Sequence, residues 1–265
     1  MCCLIRRVEF DLGMANLCDV VSFLDEQLRV SEIPDYSGAH NGLQLENGGE
    51  VRKVATAVDA SFPVIEKAIA AEADLLVVHH GLFWHGVRMM TGVNYTKFKS
   101  AIDAGLAIYS SHIPLDIHPE WGNNALLSEK LGIEEGDDFF PWKGIQLGRK
   151  GVFRRGDLGE LRDQLAEVVG GEVLMRGEAD SDVGVVGLIT GGAGSEVESI
   201  ARAGIDTFIT GEGPHWSHPL AEELGLNVLY AGHYATETFG VRRIGELLAQ
   251  DFCLSNTFIE HPTGL

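Results

Sequence analysis

The chain predicts an α/β fold of two lobes, with parallel or mixed sheets flanked by helices. Three observations carry that expectation. Short apolar runs of strand length alternate with amphipathic stretches of helical period, as in β-α-β units. The alternation occurs twice, once before about residue 134 and again from near Ile145, and an acidic, loop-like stretch from Glu134 to Asp138 separates the two series. Finally, histidines and carboxylates stand where apolar runs stop, and in open α/β sheets the ligand crevice lies outside the carboxyl ends of the strands.

The elements follow in order. Residues 1–13 have no clear periodicity and read as a disordered or mis-assigned extension, whereas Met14 directly precedes a patterned helix. In that helix Leu17, Val20, Val21, Phe23, Leu24 and Leu28 recur at helical spacing, with Asn16 as the cap. A loop rich in Pro, Gly and Asp then ends in His40-Asn41-Gly42-Leu43-Gln44. Val54 to Val58 reads as a buried strand ending at Asp59, and Ser61 caps a helix with Phe62, Ile65 and Ile69 on its core face. Leu75 to Val78 is a second strand, stopping at His79-His80-Gly81. A helix from Tyr95 to Ala104 closes at Gly105, and a strand from Leu106 to Tyr109 runs into Ser111-His112-Ile113-Pro114-Leu115-Asp116.

The second series has strands at Ile145 to Phe153, Glu172 to Met175, Val183 to Ile189, Thr207 to Thr210 and Val228 to Ala231. Helices are expected at Leu158 to Val169, after the Gly191-Gly192-Ala193-Gly194-Ser195 turn, at Leu220 to Leu224, and from about Thr236 to Leu248. The expected division is residues 14–137 with 227–265 as one lobe, carrying the site, and residues 138–226 as the other.

Composition narrows the function classes. A chain of 265 residues, 45% hydrophobic and 22% charged, buries a sizeable core without staples. Its formal net charge of -19 repels phosphate backbones, so nucleic acid is not an expected partner, while divalent cations are attracted. Cys2, Cys3, Cys18 and Cys253 form no C-x-x-C spacing, which argues against a disulfide framework or a thiolate zinc site. No apolar run approaches the ~20 residues of a membrane span, and no apolar stretch follows Arg6 and Arg7 as in a signal peptide. The expected location is the cytoplasm.

The chemistry sits at the strand ends. Asp59, the pair His79 and His80, His112 with Asp116, Glu212, and His233 stand where different strands stop, and Glu237 follows His233 by four residues, on one face if that segment is helical. Imidazole with carboxylate suits zinc, manganese, iron, cobalt or nickel. One ion needs three protein ligands and an open position, so five ligands suffice for two ions about 3.5–4 Å apart, with Asp116 or Glu237 as a bridge. Each piece also has a bland reading: a hydrogen-bonded turn for His79-His80, a helix cap for Asp116, a surface pair for His233 and Glu237. Three such signals at strand ends, in a chain of ten histidines, favour the metal reading. His40, His85, His118 and His261 have nothing that lifts them above ordinary loop residues. The Gly191 turn lacks both the P-loop lysine and a dinucleotide fingerprint, and no G-x-S-x-G elbow surrounds Ser110 or Ser111.

The motifs Asn41-Gly42-Leu43-Gln44, Val58-Asp59-Ala60-Ser61, His79-His80-Gly81-Leu82-Phe83-Trp84, Ser111-His112-Ile113-Pro114-Leu115-Asp116, Thr210-Gly211-Glu212 and Gly232-His233-Tyr234-Ala235-Thr236-Glu237 together resemble those of the NIF-three-like family, also known as GTP cyclohydrolase I type 2 homologues. The resemblance runs in order from about Met14 to the C-terminus. It implies two α/β lobes and a dinuclear metal centre held by His79, His80, Asp116, His233 and Glu237. It also implies a toroidal homohexamer with its sites facing an internal cavity, in the compact form without an extra domain. The activity attached to the family opens the imidazole ring of GTP with release of formate. Two metal ions suit such a hydrolysis, because coordination brings the pKa of water down to ~7.

Two functions follow as expectations. One is a metal-dependent hydrolase of a nucleotide or related small molecule, with Glu212 or His215 able to shuttle protons. The other is a non-catalytic metal-binding assembly or regulatory protein, favoured by the absence of an obvious basic cluster for a substrate.

Overall fold

A computed structural model describes residues 13–84 and 86–265. The expected extension therefore lies outside the described residues, except for Gly13, as does His85. Strand β1 (Ala15–Asn16) leads into α1 (Leu17–Gln27), where the Asn16 side chain accepts from the Cys18 N–H at 2.8 Å. Then follow β2 (Gly42–Leu45), β3 (Glu50–Val51), β4 (Lys53–Asp59), α2 (Phe62–Ala70), β5 (Leu75–His80), α3 (Gly92–Asp103), β6 (Ala107–Ser110), α4 (Ile113–Asp116) and α5 (Asn123–Leu131). The second half holds β7 (Glu134–Trp142), β8 (Ile145–Val152), α6 (Leu158–Val169), β9 (Leu174–Arg176), β10 (Val185–Leu188), a 3-10 turn (Ala193–Glu196), α7 (Val197–Arg202), β11 (Thr207–Thr210), α8 (Ser217–Glu223) and β12 (Asn227–Tyr230). It closes with α9 (His233–Thr236), α10 (Thr238–Phe252) and β13 (Ser255–Phe258).

Two mixed sheets result. The first has the order β13-β4-β5-β6-β2, with β13, β4, β5 and β6 parallel and β2 antiparallel at the edge. The second has the order β7-β8-β10-β11-β12-β9, parallel only through β10, β11 and β12. Helices cover both faces of each sheet, which is why the central strands read as unbroken apolar runs rather than alternating ones. In β4, Val54 and Val58 pack toward α1 and α10, whereas Ala55 and Ala57 pack toward α2 and α3. In the second sheet Leu188, Ile209 and Leu229 meet α5 and α6, while Phe208 and Val228 meet α7 and α8.

The division expected from the sequence differs from the sheets at two points. Strand β12 hydrogen-bonds in parallel to β11, so residues 227–230 belong to the second sheet and only α9, α10 and β13 return to the first. The acidic stretch from Glu134 is not a loop but the start of β7, which pairs with β8 across a register shift between Glu135 and Asp138. The core face of α2 also differs: Val64, Ile65 and Ala68 are buried, while Phe62 and Ile69 are only partly covered. Among the described residues no helix is long and apolar enough to cross a membrane.

Candidate metal centre

The carboxyl edges of the two sheets face one another, and the site lies between them. β5 delivers His79 and His80 from its last two positions, and Asp116 ends α4, one turn beyond β6. The β12 strand runs through Gly232 into α9, placing His233 at its start and Glu237 directly after it. His79, Asp116 and Glu237 are buried, and His80 and His233 open partly toward solvent.

Their inward atoms converge. His79 Nε2 lies 3.5 Å from Asp116 Oδ2 and 3.5 Å from Glu237 Oε1. Glu237 Oε2 lies 3.5 Å from His80 Nε2 and 3.2 Å from His233 Nε2. Two sets of three ligand atoms thus share Glu237: His79 with Asp116, and His80 with His233. Ligands held about 2.0–2.2 Å from one tetrahedral ion stand about 3.3–3.6 Å apart, close to these spacings.

The outer ring nitrogens fix the tautomers. His79 Nδ1 lies 2.9 Å from the Ser111 carbonyl, which can only accept, so this nitrogen carries the proton and donates. His80 Nδ1 faces the Asp59 carboxylate at 2.9 Å, and His233 Nδ1 faces Glu212 at 2.8 Å. All three therefore direct a lone pair from Nε2 into the cluster, with the carboxylate or carbonyl behind each ring that metal-binding histidines ordinarily have. Asp116 is prepared in the same way. Its Oδ1 accepts from Asn123 Nδ2 at 2.8 Å and from Thr190 Oγ1 at 3.3 Å, leaving Oδ2 toward His79.

A divalent cation fits this arrangement. The buried His79 Nε2 and Glu237 Oε2 have no hydrogen-bond partner, a costly state for buried polar atoms unless an ion completes them. The short approaches to Glu237 are too long or misaligned to be hydrogen bonds. Electrostatics agrees. Burial opposes charge on His79, yet Asp116 and Glu237 outweigh it and push its pKa up to about 10. At His233 burial is likewise overcome, by Glu237 and then Glu212, and the pKa is pushed up to about 9. Burial would raise the Glu237 pKa, but His79, His80 and His233 hold it well below the usual carboxylate range. The carboxylates demand positive charge, and without an ion they draw protons onto the imidazoles.

Backbone shape matters at one glycine. Gly191, at φ +71, packs so closely that a Cβ there would collide with Glu237 Oε1. Its turn after β10 thus forms the wall behind the shared carboxylate.

Of the two proton shuttles expected from the sequence, Glu212 reaches the site as the partner of His233. His215 is exposed on the turn before α8 and lines neither cavity beside the cluster. The sequence places His112 at a strand end beside the cluster but does not disclose Asp35, its partner. His112 Nδ1 meets Asp35 Oδ1 at 2.8 Å, and its ring lies 4.9 Å from that of His79, so a third set of ligand atoms is His79, His80 and His112. The motif Asn41-Gly42 was the available signal, since Asn41 ties this corner together by accepting from the His112 N–H and donating to Asp35. His118 is structural, accepting from the Trp121 N–H at 3.0 Å.

Two cavities flank the cluster. The larger, about 780 Å³, is floored by His80, His112, Asp116, His233 and Glu237. The smaller, about 440 Å³, opens on the far side past Asp59, Lys97 and Glu212.

A profile of the Duf34/NIF3 (NGG1p interacting factor 3) family matches residues 15–263. The chain belongs to that family. Its relatives include proteins that bear the name GTP cyclohydrolase 1 type 2 homolog. The protein of Deinococcus radiodurans is 37% identical over 93% of this chain and 94% of its own, and that of Pyrococcus horikoshii is 40% identical over 93% and 98%. Among solved structures, a protein described as "protein ybgI, unknown function" superposes with a TM-score of 0.86 at 35% identity, covering 95% of this chain and all of its own. The α/β fold expected for the family, with parallel and mixed sheets flanked by helices, is therefore that of this chain.

Proposed function

We propose that this Duf34/NIF3 chain is a dinuclear metal-dependent hydrolase acting on a nucleotide-like small molecule. The observation that carries the reading is the sharing of Glu237 by two ligand sets at the floor of a cavity of about 780 Å³. His79 and Asp116 would hold one ion, His80 and His233 the other, with Glu237 between them. Zinc, manganese, iron, cobalt and nickel all suit the donors. When bound, such a pair supplies Lewis acidity and lowers the pKa of water to about 7.

The chain's own residues do the rest. Asp59, Glu212 and the Ser111 carbonyl orient the imidazoles, and Asn123 orients Asp116. Glu212, half-exposed behind His233 and lining the smaller cavity, would exchange protons with solvent through that imidazole. The names of the relatives support a purine nucleotide as the first substrate to try. A non-catalytic metal-binding role is favoured by one observation. Arg202, which lines the larger cavity, is paired with Glu198, so a phosphate would find little free positive charge there.

The test is elemental analysis of the purified protein before and after chelation, beside the His79→Ala variant, followed by nucleotide hydrolysis assays with the metal identified. About two equivalents of transition metal per chain, lost in the variant together with turnover, is the expected result. Persistent absence of metal after supplementation would return the histidines to structural roles. Full loading without hydrolysis of any nucleotide would favour the non-catalytic reading.

A further inference from the structure

The metal ligands occupy only the floor of the larger cavity, and one of its walls is aromatic. Tyr36 comes from the loop between α1 and β2, Trp84 from the turn after β5, and Trp142 from the tip of the β7–β8 hairpin. Their ring centroids lie 5.0 Å apart for Tyr36 and Trp142, and 6.3 Å apart for Tyr36 and Trp84. Trp84 continues the series to His112 at 4.6 Å and His80 at 5.2 Å. The rings are inclined to one another, by 46° for Tyr36 and Trp142 and by 70° for Tyr36 and Trp84, so a series of aromatic faces and edges lines the way from the hairpin tip to the imidazoles.

These rings are not sealed into a core. Tyr36 is 51% exposed, and Trp84 and Trp142 are only partly covered. The wall is nevertheless held in place before any ligand arrives. Lys143 donates to the Asp35 carbonyl at 2.8 Å and lies 4.4 Å over the Trp142 ring, fastening the hairpin tip onto the loop that carries Tyr36. Phe140, at φ +68, is a bulky residue in a conformation that costs energy, and it too faces the cavity. With Arg202 engaged by Glu198, the cavity offers more to a flat ring than to an anionic group.

We propose that Tyr36, Trp84 and Trp142 form a stacking platform that selects planar, π-rich ligands and sets the ring beside the histidine–carboxylate cluster. The proposal rests on this cavity being the substrate site of the hydrolase reading. It makes the aromatic ring, rather than the phosphates, the recognised part of a nucleotide-like ligand. The three residues are specificity determinants, contributed by three separate segments, and the hairpin tip belongs to the second sheet.

Isothermal titration calorimetry on the full-length protein, as purified and after chelation, tests this with guanosine 5′-monophosphate and with ribose 5-phosphate, which lacks the base. The base-bearing probe should bind at least about tenfold more tightly, at the low end of what a stacked base contributes. Trp142→Ala should lose that discrimination, Trp142→Phe should retain most of it, and metal content should not change in either. Tyr36→Ala, at an exposed loop position, guards against misfolding of the hairpin variant and should weaken the base-bearing probe in the same sense. Equal binding of the two probes by the unaltered protein would overturn the proposal. So would wild-type affinity for guanosine 5′-monophosphate in both Trp142→Ala and Tyr36→Ala. The hydrolase reading fails separately: base discrimination without metal-dependent turnover would reject the hydrolase and still support the platform.

Discussion

His79 and His233 carry pKa values of about 10 and about 9, so both hold a second proton at neutral pH when no ion is present. An incoming ion needs the Nε2 lone pairs and must displace those protons. Because the pKa values are raised, the competition runs through the whole neutral range: metal affinity rises with pH and falls on acidification. One or two protons released per ion give about a tenfold to hundredfold change per pH unit. Competitive metal titrations between about pH 6 and pH 8 would show that slope, and a flat profile would contradict the ligand assignment. At this scale the sequence was informative because a histidine or carboxylate at the end of an apolar run is a local feature. The pairing of Asp35 with His112 was not legible, since the two are brought together by a loop whose path no periodicity records. The exposure of His215, in the segment before α8, is likewise a property of a loop path that no periodicity records.

Elements with a strong local signature fell where the pattern placed them. Helix α6 spans Leu158–Val169, and its start is set by a capping box in which Asp157 accepts from the Glu160 N–H at 2.9 Å and Glu160 accepts from the Asp157 N–H at 3.1 Å. Asp157→Ala should cost about 1 kcal/mol, because it leaves an end N–H unpaired. A lower melting temperature with unchanged metal content would bear this out. Loss of metal would mean that α6 supports the site more directly than its position suggests. Strands without such a signature escaped detection. β7 opens on acidic residues and is an edge strand with an irregular register, and Ser255–Phe258 of β13 has a single large apolar residue. Both are held by backbone pairing to a neighbour, which leaves little trace in side-chain pattern.

Across the whole molecule the site joins two sheets. His79, His80 and Asp116 come from the first, while His233 and Glu237 follow β12 of the second, with Gly191 and Glu212 closing the wall behind them. Ions bound here would link the two carboxyl edges and stabilise the folded state by mass action. Chelation should therefore lower the melting temperature by about 5–10 °C, read by differential scanning calorimetry of the loaded and stripped protein. Coincident melts would show that the edges are held together by packing alone, through contacts such as α5 against α6 and α10.

The sequence by itself determined the α/β class, most of the central strands and helices, and the identity of the five converging side chains. The class and the elements rest on local information, period and cap; the five side chains rest on the residues at which apolar runs end, a set that also held Asp59, His112 and Glu212, together with the family resemblance. Only the tertiary structure decided that β12 pairs in the second sheet, that Glu237 sits between two ligand sets, and that a hairpin tip supplies Trp142 to the cavity. Those outcomes depend on which strand finds which neighbour and how two sheet edges face one another. Such contacts join residues far apart in the chain, and no window of local pattern contains both partners.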